Sequence, residues 1–481
     1  MPLRDPVVYQ IYPRSFQDSD GDGVGDLRGI RSRLDHLTWL GVDAFWLSPI
    51  YPSPLADFGY DITDHTSIDP VYGTLGDYSE LAAAAHERGL GVLMDVVPSH
   101  TSIEHPWFRE HADWYIWADE PNNWIAAFGG PAWDLDEQRG RYYLHSFYPE
   151  QPDLDWRNPQ VVEAMQSVMR CWLERGADGF RIDALDRVLK DPQLRDDPPA
   201  TERPPLPLHG DSGSLSGLHS RNAPDIGQAI RRIREAAGDA FLVGEVYLPS
   251  AKWEPYLEYL DAAFAFELFH SPWDAAKLRA AIEGTISVAG SRAAWVLSNH
   301  DFQRMPTRFG AENVRVAAMM LLTLPGTAFI YQGDEIGMDD GPGAAEQFDR
   351  AGRDAHRHPM QWDGSPAGGF TTGDPWLPLV DPERRNVAGE QRDPGSLLHL
   401  YRKLIAARRA LGPGFRFLDH APEGMLAYER GAQTVLLNTT DEPLTAPVAG
   451  KTVLQTHSEV LGEGEVAPHS GVICLTNRHS G

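Results

Sequence analysis

Short apolar runs alternate with amphipathic stretches over most of this chain, and that alternation leaves few folds open. Val7–Tyr12, Val42–Leu47, Gly91–Val97, Gly179–Asp183, Phe241–Val246, Ala262–Phe266, Ala294–Leu297 and Thr327–Tyr331 are predicted strands. Between them, Arg28–Leu40, Asp77–Gly89, Pro159–Arg175, Ile226–Ala237 and Val314–Leu324 carry the helical period. Arg88-Gly89 and Arg175-Gly176 place a basic last turn before a glycine, which suits the negative end of a helix and its left-handed cap. Strands alternating with helices at this length predict an α/β chain built as a (β/α)8 TIM barrel with a parallel sheet, rather than an open sheet.

At 481 residues the chain exceeds one ordinary domain, so a large barrel plus a smaller domain is expected. Two insertions interrupt the rhythm. His100 to Trp156 is rich in Trp, Tyr, Pro and Gly and too long for a loop, which predicts an inserted subdomain over 101–156. Pro192 to Pro224, with Pro198-Pro199 and Pro204-Pro205, reads as an irregular flap over the barrel mouth. After Leu411-Gly412-Pro413-Gly414 the helical period disappears, and short strands such as Met425–Tyr428 and Thr434–Leu437 predict a C-terminal antiparallel β domain over 412–481. The barrel is left with 1–100 and 157–411.

Charge narrows the partners. Lys plus Arg total 42 against 69 Asp plus Glu, a net charge of −27 that repels nucleic acid and anionic membrane, so a small neutral substrate fits better. Cys171 and Cys474 have no metal-ligand spacing and read as ordinary thiols of a reducing compartment. The chain enters its first strand with no apolar leader, and no run approaches the ~20 apolar residues of a membrane span. A cytoplasmic protein is expected.

Chemistry collects where the predicted strands end, as barrel enzymes require. The fourth strand reads Asp178-Gly179-Phe180-Arg181-Ile182-Asp183-Ala184; residues two apart share a face, so Arg181 and Asp183 point together toward the axis. Glu245 follows an apolar run directly, the seventh strand leads into Ser298-Asn299-His300-Asp301, and the third into Ser99-His100. Three acids, two histidines and an arginine thus converge on one rim. Neither histidine has metal spacing.

These stretches, Asp95 to His100, Gly179 to Asp183, Gly244-Glu245-Val246, Ser298 to Asp301 and Gln151 to Trp156, make the chain resemble the α-amylase superfamily of glycoside hydrolases, in its oligo-1,6-glucosidase/α-glucosidase branch, from Met1 to about Leu411. The resemblance implies an enzyme that releases terminal α-D-glucose from a short oligosaccharide or disaccharide with retained configuration. Asp183 would be the nucleophile, Arg181 beneath it would keep it ionised, and Glu245 would be the acid/base. Asp301 would be the third family carboxylate, gripping sugar hydroxyls and favouring ring distortion, while His100 and His300 would donate hydrogen bonds to those hydroxyls. Asp57 and Arg357 would form an ion pair that closes the site behind one sugar, and Tyr60 and Phe147 would be aromatic platforms. Ser99 departs from the asparagine with which amylases bind a calcium between barrel and insertion, so that ion is not expected. Ala184 follows the nucleophile, where relatives with alanine or threonine prefer α-1,4 linkages and relatives with valine prefer α-1,6.

Asp18-Ser19-Asp20-Gly21-Asp22-Gly23-Val24-Gly25-Asp26 opens like an EF-hand calcium loop, with Val24 offering its carbonyl. The helix before it and the twelfth-position glutamate are missing; it is similar instead to the ion loop of the same branch. Oxygen ligands favour structural Ca2+, or Mg2+, over zinc. Three other readings stay open: a transglucosylase or sucrose/trehalose isomerase of the same superfamily, a non-enzymatic sugar-binding protein, and an internally cutting amylase, which the Asp57 and Arg357 assignment argues against.

Overall fold

The computed structural model describes residues 5–202, 206, 213–343, 347–457 and 464–476. Eight parallel strands close into a barrel: β1 (Val7–Ile11), β2 (Ala44–Leu47), β3 (Gly91–Val96), β4 (Gly179–Ile182), β5 (Phe241–Gly244), β6 (Ala262–Phe264), β7 (Ala293–Trp295) and β8 (Thr327–Tyr331). Each pairs with its neighbours in sequence and β8 returns to β1, Val7 lying opposite Ala328. The predicted (β/α)8 barrel is the observed fold. Val8, Trp46, Leu93, Val243, Phe264 and Phe329 form one buried cluster that fills the barrel interior, while the alternate residues Val7, Phe45, Val92, Phe180, Leu242 and Trp295 pack in the larger core shared with the helices. Burial on both faces is why these strands are almost wholly apolar.

Aspartates fix the stagger at the lower mouth. Asp43, Asp178 and Asp261 each accept a backbone N–H from the preceding strand, from Val7, Val92 and Leu242, all at 2.8 Å. These N–H groups would otherwise be orphaned at strand starts. The stagger in turn decides which residues reach the upper rim.

The helix Ile226–Ala237 has the predicted bounds, Leu75–Glu87 begins and ends two residues earlier than predicted, and Pro159–Glu174 and Val314–Thr323 each end one residue earlier. The predicted Arg28–Leu40 is instead two helices, Leu27–Ser32 and Leu34–Leu40, divided at Arg33. Arg33 donates to Gln17 Oε1 at 2.6 Å and lies 4.4 Å over the Trp362 ring, so tertiary contacts outweigh helix continuity there.

In the inserted segment, Trp117–Ala118, Trp133–Asp136 and Arg141–Leu144 make a three-stranded antiparallel sheet over a small core around Trp124 and Trp133. A buried Lys190–Asp153 ion pair and a 2.6 Å bond from the Trp156 indole to Pro98 O tie this segment to the barrel. Among the described residues the flap is irregular apart from a Pro199–Leu215 bridge and is held by Asn122 and Asn123; Pro204, Pro205 and residues 207–212 fall outside the described residues. Toward the C-terminus, Phe415–Phe417, Met425–Arg430, Gln433–Asn438, Gly450–Gln455 and Ser470–Thr476 form an antiparallel sheet that packs on the helix Val314–Thr323.

The described residues of 337–343 and 347–386 form a long, mostly irregular segment after β8 that the periodicity does not announce. It folds back on the loop after β1 through Met360 N–H to Ser15 O (2.8 Å), Asp18 N–H to Phe370 O (2.9 Å) and the Trp362 indole to Phe16 O (2.8 Å). That path brings it across the barrel mouth.

Candidate active site

The backbone sets the two central acids. Asp183 N–H donates to Val96 O at 2.9 Å and Glu245 N–H to Ile182 O at 2.8 Å, so each continues the ladder one step beyond its strand. Their side chains meet over Arg181. Its Nη1 lies 2.6 Å from Asp183 Oδ1 and 3.0 Å from Asp95 Oδ1, and its Nη2 lies 2.5 Å from Glu245 Oε2. The guanidinium rests 5.0 Å above the Trp46 ring, whose indole donates to Asp95 Oδ2 at 3.1 Å. One cation therefore serves three carboxyl groups in a dry place. Burial is the largest influence on Asp183 and pushes its pKa up; Arg181 pulls it down, but the charges of Glu245 and Asp95 push the same way as burial. Burial also lifts Asp95 to about 6, against Arg181.

A cavity open at its mouth lies over this centre. Of the residues singled out in the sequence, Asp57, Tyr60, His100, Phe147, Asp183, Ala184, Glu245 and Asp301 line it. Burial drives the His100 imidazole down to about 4, so it is neutral at ordinary pH and offers both a donor and an acceptor. Ala184 lies in the left-handed region (φ 43°, ψ 44°), and its N–H donates to Glu245 Oε2 at 3.2 Å. The residue after Asp183 is thus shaped to hold Glu245.

Two expectations are corrected. Asp57 pairs with Arg353, not Arg357. Arg353 Nη2 lies 2.5 Å from Asp57 Oδ1, and Nη1 lies 3.0 Å from Asp301 Oδ1. Arg357 is turned beneath the cavity, donating to His300 O at 2.8 Å and lying 5.2 Å over the Tyr12 ring, 3.4 Å from Asp301. Four residues separate the two arginines on a turn, and only Arg353 reaches the cavity. The second correction concerns His300, which lies under the cavity wall with no exposed surface and is stacked between Tyr60 (5.5 Å) and Tyr12 (5.8 Å). Gln10 faces its Nδ1 at 2.8 Å, and Nε2 faces Tyr60 OH at 2.8 Å and Asp301 Oδ2 at 3.3 Å. With both nitrogens engaged by the protein, His300 positions Tyr60 and Asp301 rather than presenting a free donor. Burial holds it neutral, down to about 3.

Burial works against ionisation of Asp301, but contact with the His300 ring and the two guanidiniums outweighs it and holds the pKa well below the usual carboxylate range. Asp57 is lifted by burial to about 6, with Arg353 opposing. Gln151, inside a motif already noted, donates to Asp57 Oδ2 at 2.9 Å and lies 3.0 Å from His100 Nε2. Asp95, Gln151 and Arg353 are missing from the residues singled out, as are the cavity-lining Phe128, Tyr247 and Phe302. Asp95 and Gln151 lay inside quoted motifs; the aromatics follow no spacing a sequence displays.

The catalytic-domain profile of the alpha-amylase family matches residues 10–412. The chain belongs to the α-amylase family. Within that family it is 41% identical over 461 residues to a probable alpha-glucosidase of Rhizobium meliloti (strain 1021), covering 85% of this chain and 82% of that protein. It is 37% identical over 474 residues to an oligo-1,6-glucosidase of Parageobacillus thermoglucosidasius, covering 84% and 83%. Among solved α-amylase-family folds, the alpha-glucosyl transfer enzyme XgtA superposes with a TM-score of 0.91 at 36% identity, covering 98% of this chain and 99% of that one. The family fixes the chain as a glycoside hydrolase of the α-glucosidase branch.

In the 18–26 loop three aspartate side chains converge. Asp18, Asp20 and Asp22 bring one carboxylate oxygen each within 4.8 Å of one another, a donor set that fits a hard divalent cation. Asp26 is not among them: it takes Ser19 N–H (2.7 Å) and caps the helix Leu27–Ser32 through Gly29 N–H (2.7 Å). Asp18 already accepts N–H bonds from Asp20, Gly21 and Gly23 at 2.8–2.9 Å, which preform the turn.

Proposed function

We propose that this α-amylase-family chain is an exo-acting, retaining α-glucosidase that removes terminal α-D-glucose from short, mainly α-1,4-linked glucosides. The observation that carries the reading is the Asp57–Arg353 pair beside a cavity whose floor holds Asp183 and Glu245 on one guanidinium. The pair sets a wall behind a single ring and supplies donor and acceptor to its far hydroxyls.

In the first step Asp183 attacks C1 of the terminal glucose while the bond from C1 to the leaving oxygen breaks. Glu245 passes its proton to that oxygen. When Glu245 holds this proton it no longer adds negative charge beside Asp183, which is how two acids 2.5–2.6 Å from one arginine take opposite protonation states. In the second step water attacks C1, Glu245 takes its proton, and the ester to Asp183 breaks. Asp301 and the neutral His100 bind hydroxyls of the distorted ring, and His300 and Arg353 hold Asp301 in place. Phe128, Phe147, Tyr247 and Phe302 line the cavity and keep bulk water off the ester.

An apolar wall of this kind also favours a sugar acceptor over water, and the similarity to XgtA supports glucosyl transfer as a second outcome of the same intermediate. A structural Ca2+ held by Asp18, Asp20, Asp22 and the Val24 carbonyl, with Asp26 closing the loop, completes the proposal. Two free thiols and the absence of a membrane-length apolar helix among the described residues suit a cytoplasmic enzyme. Incubation with maltose, isomaltose, sucrose, trehalose and maltoheptaose, with products followed over time, tests the reading. Glucose should be the first product from maltose and maltoheptaose; early maltose or maltotriose from maltoheptaose would exclude terminal cleavage.

A further inference from the structure

Every acid that lines the cavity has an arginine partner. Asp57 and Asp301 have Arg353 at 2.5 and 3.0 Å, Asp183 and Glu245 have Arg181 at 2.6 and 2.5 Å, and Asp186 has Arg221 at 3.6 Å. Arg187 also lines the cavity, and it is the exception. Among the described residues it makes no ion pair and no side-chain hydrogen bond; its guanidinium lies 5.4 Å over the Phe147 ring. The acid next to it, Asp186, is engaged by Arg221. Burial and the neighbouring Arg221 push the Arg187 pKa down, and they outweigh the more distant charges of Asp186, Asp153 and Asp197, which push it up.

Its place in the fold puts it on the leaving-group side. The turn Leu185–Arg187 starts at Ala184, whose N–H donates to Glu245, the acid that protonates the departing oxygen. The closed end is occupied by Asp57 and Arg353. Arg187 also lines a smaller second cavity with Asp197, Ser220 and Arg221, so the guanidinium stands where the sugar site continues toward the flap. A half-buried cation over an aromatic face, backed by a second arginine, is incomplete without an anion, and a guanidinium matches the two oxygens of a carboxylate or phosphate.

Resting on the α-glucosidase reading above, we infer that Arg187 recognises an anionic leaving group, so that preferred substrates include α-glucosides whose aglycone carries a carboxylate or a phosphate. The terminal glucose stays neutral and is read by Asp57, Arg353 and His100. The anion sits beyond Glu245 and is replaced by water or an acceptor after cleavage. The chain's overall negative charge does not forbid this, because screening confines distant charges to about a Debye length of ~8 Å at physiological salt.

Matched α-glucosides of glycerol, glycerate and glycerol phosphate test the inference, with maltose as the control for the underlying activity. The wild-type enzyme should show kcat/KM at least about tenfold higher for one or both anionic glucosides than for the glycerol glucoside, falling with added salt. Preference for one anion alone identifies the carboxylate or the phosphate as the source. In Arg187→Gln the anionic-to-neutral ratio should drop about tenfold, and Arg187→Lys should keep part of it. Equal rates on all three by the wild type, or a preference that survives Arg187→Gln, would overturn the inference while leaving the α-glucosidase reading in place. Loss of maltose hydrolysis in the wild type would instead overturn the α-glucosidase reading.

Discussion

Arg353 Nη2 lies 2.5 Å from Asp57 Oδ1, across 296 residues of sequence, and the same side chain contacts Asp301 and Asp349. One arginine thus links the loop after β2, the loop after β7 and the long segment after β8. Arg353→Met would leave three carboxylates short of their counter-charge; removing one partner of a buried pair typically costs about 3–5 kcal/mol. We expect kcat/KM for maltose to fall by roughly 100-fold or more. Arg357→Met removes a bond to His300 O and a cation over Tyr12, and should lower the melting temperature with a smaller loss of kcat/KM. Steady-state kinetics and melting curves of both variants check the assignment.

The barrel was legible because its strands are buried on both faces, so the apolar runs announce themselves with little interference from surface chemistry. Arg181, Asp183, Glu245 and Asp301 were legible because rim residues follow those runs directly. Arg353 was not, since it lies on an irregular segment where two arginines four apart look equivalent until the chain path is known. His300 was misplaced for a related reason: adjacency to Asp301 says nothing about which ring neighbours occupy its nitrogens. Arg33 shows the limit for helices, where a contact to Trp362 divides a stretch that periodicity joins.

The backbone at Ala184 shapes the linkage prediction. Valine there would meet φ 43°, a left-handed conformation that branched side chains resist, so Ala184→Val should lower the melting temperature. It should also cut kcat/KM for maltose more than for isomaltose, by the roughly 10-fold or so that pocket methyl groups are worth. The ratio of the two substrates is the measurement, because strain alone lowers both equally.

The pH dependence of stability should carry the mark of two raised carboxyls away from the site. Burial pushes Asp334 up to about 7 and Glu390 up to about 7. Between their unfolded values near 4 and this range the folded state holds protons on these two carboxyls that the unfolded state has released, so the stability they contribute declines as pH rises from about 4 to 7. Glu390→Gln should flatten that decline. Melting temperatures at pH 5 and pH 8 would show it; an unchanged pH slope would contradict it.

The loop of Asp18, Asp20 and Asp22 predicts a divalent ion that binds the folded chain alone. EDTA should lower the melting temperature by several degrees, Ca2+ should restore it, and Asp20→Asn should weaken the response. Elemental analysis of the purified protein checks the ion directly. A metal-free protein with the same melting temperature would reject the site.

The most direct test of the central claim, two-step hydrolysis through Asp183, is the configuration of the first glucose released. With p-nitrophenyl α-D-glucopyranoside, time-resolved proton NMR follows the anomer before mutarotation mixes the signals. The α-anomer should appear first, and Asp183→Asn should release essentially none while keeping a cooperative melting transition. Early β-glucose, or an Asp183→Asn enzyme of near-normal activity, would contradict the mechanism.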